Sequence, residues 1–187
     1  MKPTHRAADG LCCLPSQTVG PFFHFGLTTN AAQGCLAGAQ VQGEHIRLRF
    51  TLLDGDGVPV PDGMLELWQA DAAGRYNQPD FCGFGRLATD GEGKCTFETI
   101  RPDRVPDGHG ACQAAHISVS VFARGLLGRL STRVYFRGDP ALVEDSVLAL
   151  VPEGRRPTLL ARWHAEAGVW EFEIHLQGEN ETVFFDV

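Results

Sequence analysis

A chain of 187 residues carries 16 Lys and Arg against 23 Asp and Glu, a formal charge of -7, with its basic residues in no clustered stripe; that excludes nucleic acid and anionic membrane as partners. Such a length buries roughly 70% of the unfolded surface, enough for one substantial core, so residues 1–187 are expected to form a single domain. No stretch approaches the roughly 20 apolar residues of a membrane span, the N-terminal M-K-P-T-H-R-A-A-D-G lacks the apolar run of a signal peptide, and six cysteines without C-x-x-C spacing read as reduced thiols, so the expected location is the cytoplasm.

Taken in order, residues 1–13 read as a loose arm. From Pro15 to Leu27 the sequence P-S-Q-T-V-G-P-F-F-H-F-G-L combines two prolines, two glycines and bulky apolar groups, a composition for an extended, irregular segment lying against something. Two readings stand at this point. Phe22, Phe23 and Phe25 plug the chain's own core, or Gly20 and Pro21 let the backbone press closely against an aromatic ligand. From Glu44 onward strands follow one another: H-I-R-L-R-F-T-L-L (45–53), the turn D-G-D-G (54–57), M-L-E-L-W-Q-A (64–70), and K-C-T-F-E-T-I (94–100) after D-G-E-G. Residues 141–162 read as loops with short helical pieces interrupted by Pro152 and Pro157. V-W-E-F-E-I-H-L (169–176) alternates again and T-V-F-F-D-V closes the chain. Several short strands divided by Gly, Asp and Pro turns predict an all-β fold, an antiparallel β-sandwich with loops and short helical segments.

The most informative stretch is Ala114 to Phe136. Strict alternation puts Ile117, Val119 and Val121 on one face and His116, Ser118, Ser120 and Phe122 on the other. Arg124 shares the parity of His116, Gly125 can form the following turn, and Thr132 to Phe136 can pair back, so a hairpin is expected with an imidazole, hydroxyls and a guanidinium on one face. Elsewhere, Glu66 reads as a structural partner, Asp71 and Asp90 as turn residues, and Trp68, Trp163 and Trp170 as core or interface groups. The scattered histidines 24, 45, 109, 164 and 175 have no ligand spacing.

The strand H-I-S-V-S-V-F (116–122), the segment L-W-Q-A-D-A-A-G-R-Y (67–76) and the N-terminal P-S-Q-T-V-G-P-F (15–22) together resemble the intradiol aromatic-ring dioxygenases, and the resemblance runs from Leu14 to Val187. It implies the same sandwich fold. It also implies a ferric ion held by two tyrosines and an H-x-H pair, and here the sequence departs. Tyr76 matches one tyrosine and His116 the first histidine, but Ser118 replaces the second, and Arg101 to Ala115 contains no tyrosine. The metal positions Tyr76, His116 and Ser118 are therefore expected to be degenerate, with no metal and no catalytic residue in this chain alone. By the same resemblance the chain is the α-type member of an assembly of αβ pairs, and Fe(III) is held by the partner β subunit. The implied reaction is cleavage of protocatechuate by O2 to 3-carboxy-cis,cis-muconate. Thr18, Gly20 and Pro21 are expected to line the pocket from the N-terminal arm (about 1–27), packed on the partner, and Arg124 to hold the substrate carboxylate. Two other readings stand beside it: a self-sufficient dioxygenase using Tyr76, His116, His109 and one further group that the sequence does not identify, and a transthyretin-like binding module.

Overall fold

The alternation that begins at His45 produces strand β1 (His45–Leu53), with Ile46, Leu48, Phe50 and Leu52 turned inward and buried. The D-G-D-G sequence ends it as expected, because the Asp54 carboxylate accepts from the Asp56 and Val58 amides at 3.0 and 2.9 Å and Gly57 takes φ +76. The remaining strands are β2 (Met64–Gln69), β3 (Phe84–Ala88), β4 (Lys94–Ile100), β5 (Val105–Pro106), β6 (Cys112–Gln113), β7 (His116–Phe122), β8 (Leu130–Phe136), β9 (Leu160–His164) and β10 (Val169–His175). The computed structural model describes residues 14–108 and 110–186, without the side chains of residues 21, 22 and 24. The expectations placed on residues 1–13 and on His109 fall outside it.

Eight strands run in the order β3-β2-β7-β8-β9-β10-β1-β4, and β5 pairs with β6 alone. The long sheet folds over on itself. Leu48, Phe50 and Phe97 from one end meet Leu65, Leu67, Ile117, Val119 and Val134 from the other in one buried cluster, making the two layers of a sandwich. Phe50 packs edge-on against Phe97 and Phe172 with ring centroids 5.8 and 5.9 Å apart. Buried Gln69 ties the layers, donating to the Ile100 carbonyl at 2.9 Å and accepting from the Thr99 hydroxyl at 2.8 Å.

The expected all-β sandwich is present and rich in antiparallel pairs, with β1 and β10, and β8 and β9, paired in parallel. Strands that are neighbours in space but far apart in sequence leave no local signal of their direction. The arm is not irregular throughout, because Pro21–Leu27 form helix α1. Proline is pre-set for the first helical position, and the Phe23 amide donates to the Gly20 carbonyl at 3.0 Å. Residues 182–186 attach to β8 by one bridge, the Phe185 amide donating to the Ser131 carbonyl at 2.7 Å. The hairpin of β7 and β8 is present in antiparallel register, and Gly125 at φ +88 occupies its connection.

Candidate functional site

The end of β7 gathers three of the four residues expected to meet substrate. Thr18 accepts a hydrogen bond from the Gly125 amide at 2.8 Å, which pins the arm to the turn after Arg124. Val19, Gly20, Phe23 and Phe25 of the arm then face Asp62, Met64, Phe122 and Arg124 across a cavity of about 280 Å³. Phe23 stacks obliquely on Phe122 at 5.4 Å, so it packs on its own chain, whereas Phe25 is 66% exposed. The space beside Gly20, where a Cβ would stand, is open. Pro21 opens α1, and its ring lies outside the described side chains. Arg124 projects outward with 73% of its side chain exposed, its Nε 2.5 Å from Asp62 Oδ2.

The second cluster lies on the outer face of the layer β3-β2-β7-β8. Register places Phe84, Trp68, Ser118 and Arg133 in one row, and Arg86, Glu66, Ser120 and Ser131 in the next. All of these but Arg86 line, with Arg129, Val147 and Phe185, a cavity of about 570 Å³. Tyr76 stacks on Trp68 with centroids 5.7 Å apart at 12°. Buried His116 donates from Nδ1 to the Ala114 carbonyl at 2.8 Å. Arg133, directly across from Ser118, donates to Gln113 Oε1 at 2.7 Å and lies 3.5 Å from the Tyr135 hydroxyl.

These groups do not fit a ferric ion. Burial raises the Tyr76 phenol above its ordinary range, although the Arg133 charge pulls the other way. Burial first and Arg133 second hold the His116 imidazole below its usual range and hence neutral. A ferric centre needs anionic donors to balance its charge, and here a fixed cation acts on both surviving ligand positions, while the serine hydroxyl is a poor donor. Tyr135, the other tyrosine in the chain, is fully buried, and burial pushes its phenol up to about 12. Among the described residues no three His, Cys, Asp or Glu side chains gather for a metal.

Several bland assignments hold. Glu66 pairs with Arg86, Asp71 closes its turn on Ala73 and Arg75, and Asp90 closes its own on Glu92 and Lys94. His45 meets the Val41 carbonyl at 2.9 Å and His175 lies 3.6 Å from Glu173. Trp170 is in the core, whereas Trp163 is 53% exposed. Cys35, Cys82, Cys95 and Cys112 are free thiols; Cys95 is buried, which pushes its thiol up to about 12, and the other three are exposed. Sequence reasoning missed Asp62, Arg133 and Asp145. Asp62 and Arg133 meet Arg124 and Ser118 only across strand pairs, and Asp145 meets its partners from a loop, so no local pattern marks any of them.

A family model described as dioxygenase matches residues 19–178. The chain belongs to this family, the intradiol ring-cleavage dioxygenases. It is 40% identical to the protocatechuate 3,4-dioxygenase alpha chain of Burkholderia cepacia over 92% of this chain and 96% of that one. It is 36% identical to the beta chain from the same organism, over 89% of this chain and 77% of that one. The dioxygenase domain of a dioxygenase carbohydrate-binding fusion from Streptomyces sp. SirexAA-E shares the fold, with TM-score 0.63 and 23% identity over 88% of this chain and 99% of that domain.

Proposed function

We propose that this chain is the non-iron-binding α-type subunit of a protocatechuate 3,4-dioxygenase, walling an active site whose Fe(III) is held by a β-type partner. The observation that carries this reading is the 40% identity to an alpha chain along nearly the full length of both chains. The unsuitability of Tyr76, His116 and Ser118 beside Arg133 for a ferric ion supports it. The lower identity to a beta chain is what a subunit pair of common ancestry would leave, and it accounts for a vestige of the metal site in this chain.

In this reading the reaction cleaves the ring of protocatechuate between its two hydroxyls, one atom of O2 entering each of the two new carboxylates beside a former hydroxyl oxygen, to give 3-carboxy-cis,cis-muconate. This chain contributes binding. Gly20 presents backbone with open space beside it, Thr18 fixes the arm at the strand end, and Pro21 starts the helix there. Arg124 offers a planar fork that suits the substrate carboxylate. Phe25 and Leu14, 66% and 86% exposed, provide apolar surface for the partner to cover. The test is oxygen uptake with protocatechuate by this chain, by a β-type chain and by the two co-expressed and co-purified. Uptake is expected at full rate only from the pair. Turnover by this chain alone would contradict the subunit assignment.

A further inference from the structure

The arginine at the end of β7 does not stand alone. Met64 and Phe122 are register partners, so the antiparallel ladder carried two residues further sets Asp62 opposite Arg124. The Asp62 carboxylate engages the Nε edge of the guanidinium at 2.5 Å, while its other oxygen, Oδ1, is buried without a hydrogen-bond partner among the described residues. The backbone under Asp62 is rigid. The Gly63 amide donates to the Thr89 hydroxyl at 2.9 Å, that hydroxyl donates to the Val60 carbonyl at 2.7 Å, and the Thr89 amide donates to the Gly63 carbonyl at 2.8 Å. A Cβ at Gly63 would stand 2.3 Å from a Leu52 methyl, so the loop is seated directly on the core. A flexible, mostly exposed arginine is thus held at one edge by a carboxylate on a fixed base.

We infer that Asp62 is a positioning residue for Arg124, and through it a determinant of selectivity for diols that carry a ring carboxylate over those that do not. The inference rests on the reading of Arg124 given above. A guanidinium has five donors in a rigid plane. An ion pair at its Nε edge restrains the plane beside the cavity that Arg124 lines with Gly20 and Phe25. Fixing the fork before substrate arrives removes part of the ordering cost of binding. Asp62 also lowers the net charge at the site, so the carboxylate is selected by geometry more than by attraction alone.

The experiment uses the αβ heteromer with Asp62→Ala, Asp62→Asn, Arg124→Ala and the double variant, each assayed on protocatechuate and on catechol. For Asp62→Ala the ratio of KM for protocatechuate to KM for catechol is expected to rise about tenfold, in line with loss of one charge-assisted contact. Asp62→Asn should fall between, keeping an acceptor but not the charge. In the Arg124→Ala background Asp62→Ala should bring no further rise, and should lower the ratio by removing a carboxylate left bare before the substrate's own. An unchanged ratio or tighter protocatechuate binding in Asp62→Ala alone, or a further rise without Arg124, would each overturn the positioning role. If Arg124→Ala itself leaves the ratio unchanged, the carboxylate reading of Arg124 fails and this inference with it. A shifted ratio in Arg124→Ala beside a normal ratio in Asp62→Ala sinks the inference alone.

Discussion

Arg124→Ala in the αβ heteromer is expected to lower kcat/KM for protocatechuate about ten- to a hundredfold while affecting catechol far less. A charge-assisted hydrogen bond to a carboxylate is worth roughly 1.5 to 3 kcal/mol, and each 1.4 kcal/mol is about a factor of ten. The structure places the loss toward the upper end of that range. Removing the guanidinium leaves the Asp62 carboxylate, 2.5 Å away in the native chain, facing the substrate's own negative charge. Arg124→Lys should recover only part of the loss, because an ammonium gives a point charge in place of a planar fork. Steady-state kinetics on the two substrates decides the matter. An equal loss on both would assign Arg124 to holding the turn at Gly125 and the arm through Thr18.

Asp145→Ala should destabilise the fold by about 3 to 5 kcal/mol. Asp145 is fully buried, and its carboxylate accepts from the Ala114 amide at 2.7 Å, the Leu148 amide at 2.6 Å and the Tyr135 hydroxyl at 3.1 Å. It thereby joins the segment just before β7, the end of β8 and the 3-10 turn Leu148–Leu150. Truncation leaves three donors without an acceptor in a dry cluster that includes Ala114, Tyr135, Leu148 and Leu159, each at a cost of about 1 to 3 kcal/mol and only partly additive. Urea unfolding monitored by tryptophan fluorescence gives the number. Tyr135→Phe, which removes one donor and its need together, should cost no more than about 1.5 kcal/mol. A similar small loss for Asp145→Ala would mean that water replaces the carboxylate.

Strand positions were legible because half-buried strands alternate, and 45–53, 94–100 and 116–122 carry that pattern along most of their length. Their neighbours were not. The order that puts β10 beside β1 and β9 beside β8 joins residues more than a hundred and about twenty-five positions apart, such as Leu48 with Trp170 and Tyr135 with Leu160, and no local residue choice encodes it. Helix α1 has seven residues, too few for a period to show, and its Pro, Gly and Phe composition reads as irregular chain. Strand β3, with the pattern F-G-R-L-A, is short and has a glycine at its second position, so it lacks the alternation that marked the others.

The site divided in the same way. Tyr76, His116, Ser118, Thr18, Gly20 and Arg124 were found through motifs that resemble a family, each motif confined to a few residues. Arg133 could not be read from Ser118, because their relation is a cross-strand pairing in a hairpin with a long connection. Yet Arg133 carries the physical argument. It supplies positive charge beside Tyr76 and His116, where the family's resemblance implies a cation, so the two remnants persist as neutral groups around a guanidinium. Gln113, which accepts from Arg133 at 2.7 Å, and the Tyr135 hydroxyl keep that guanidinium in place.

Iron per polypeptide, measured by atomic spectroscopy together with the visible spectrum, tests the central claim most directly. The wild-type chain expressed alone should contain only trace iron and no tyrosinate-to-iron colour, whereas the heteromer should contain iron in proportion to its β-type chain. Tyr76→Phe and His116→Gln in this chain should leave the heteromer's iron and colour unchanged. Ser118→His should bind no ferric iron in the lone chain, since it adds one neutral donor and leaves the Arg133 cation across the strand pair. Stoichiometric iron and the tyrosinate band in the lone wild-type chain would contradict the account.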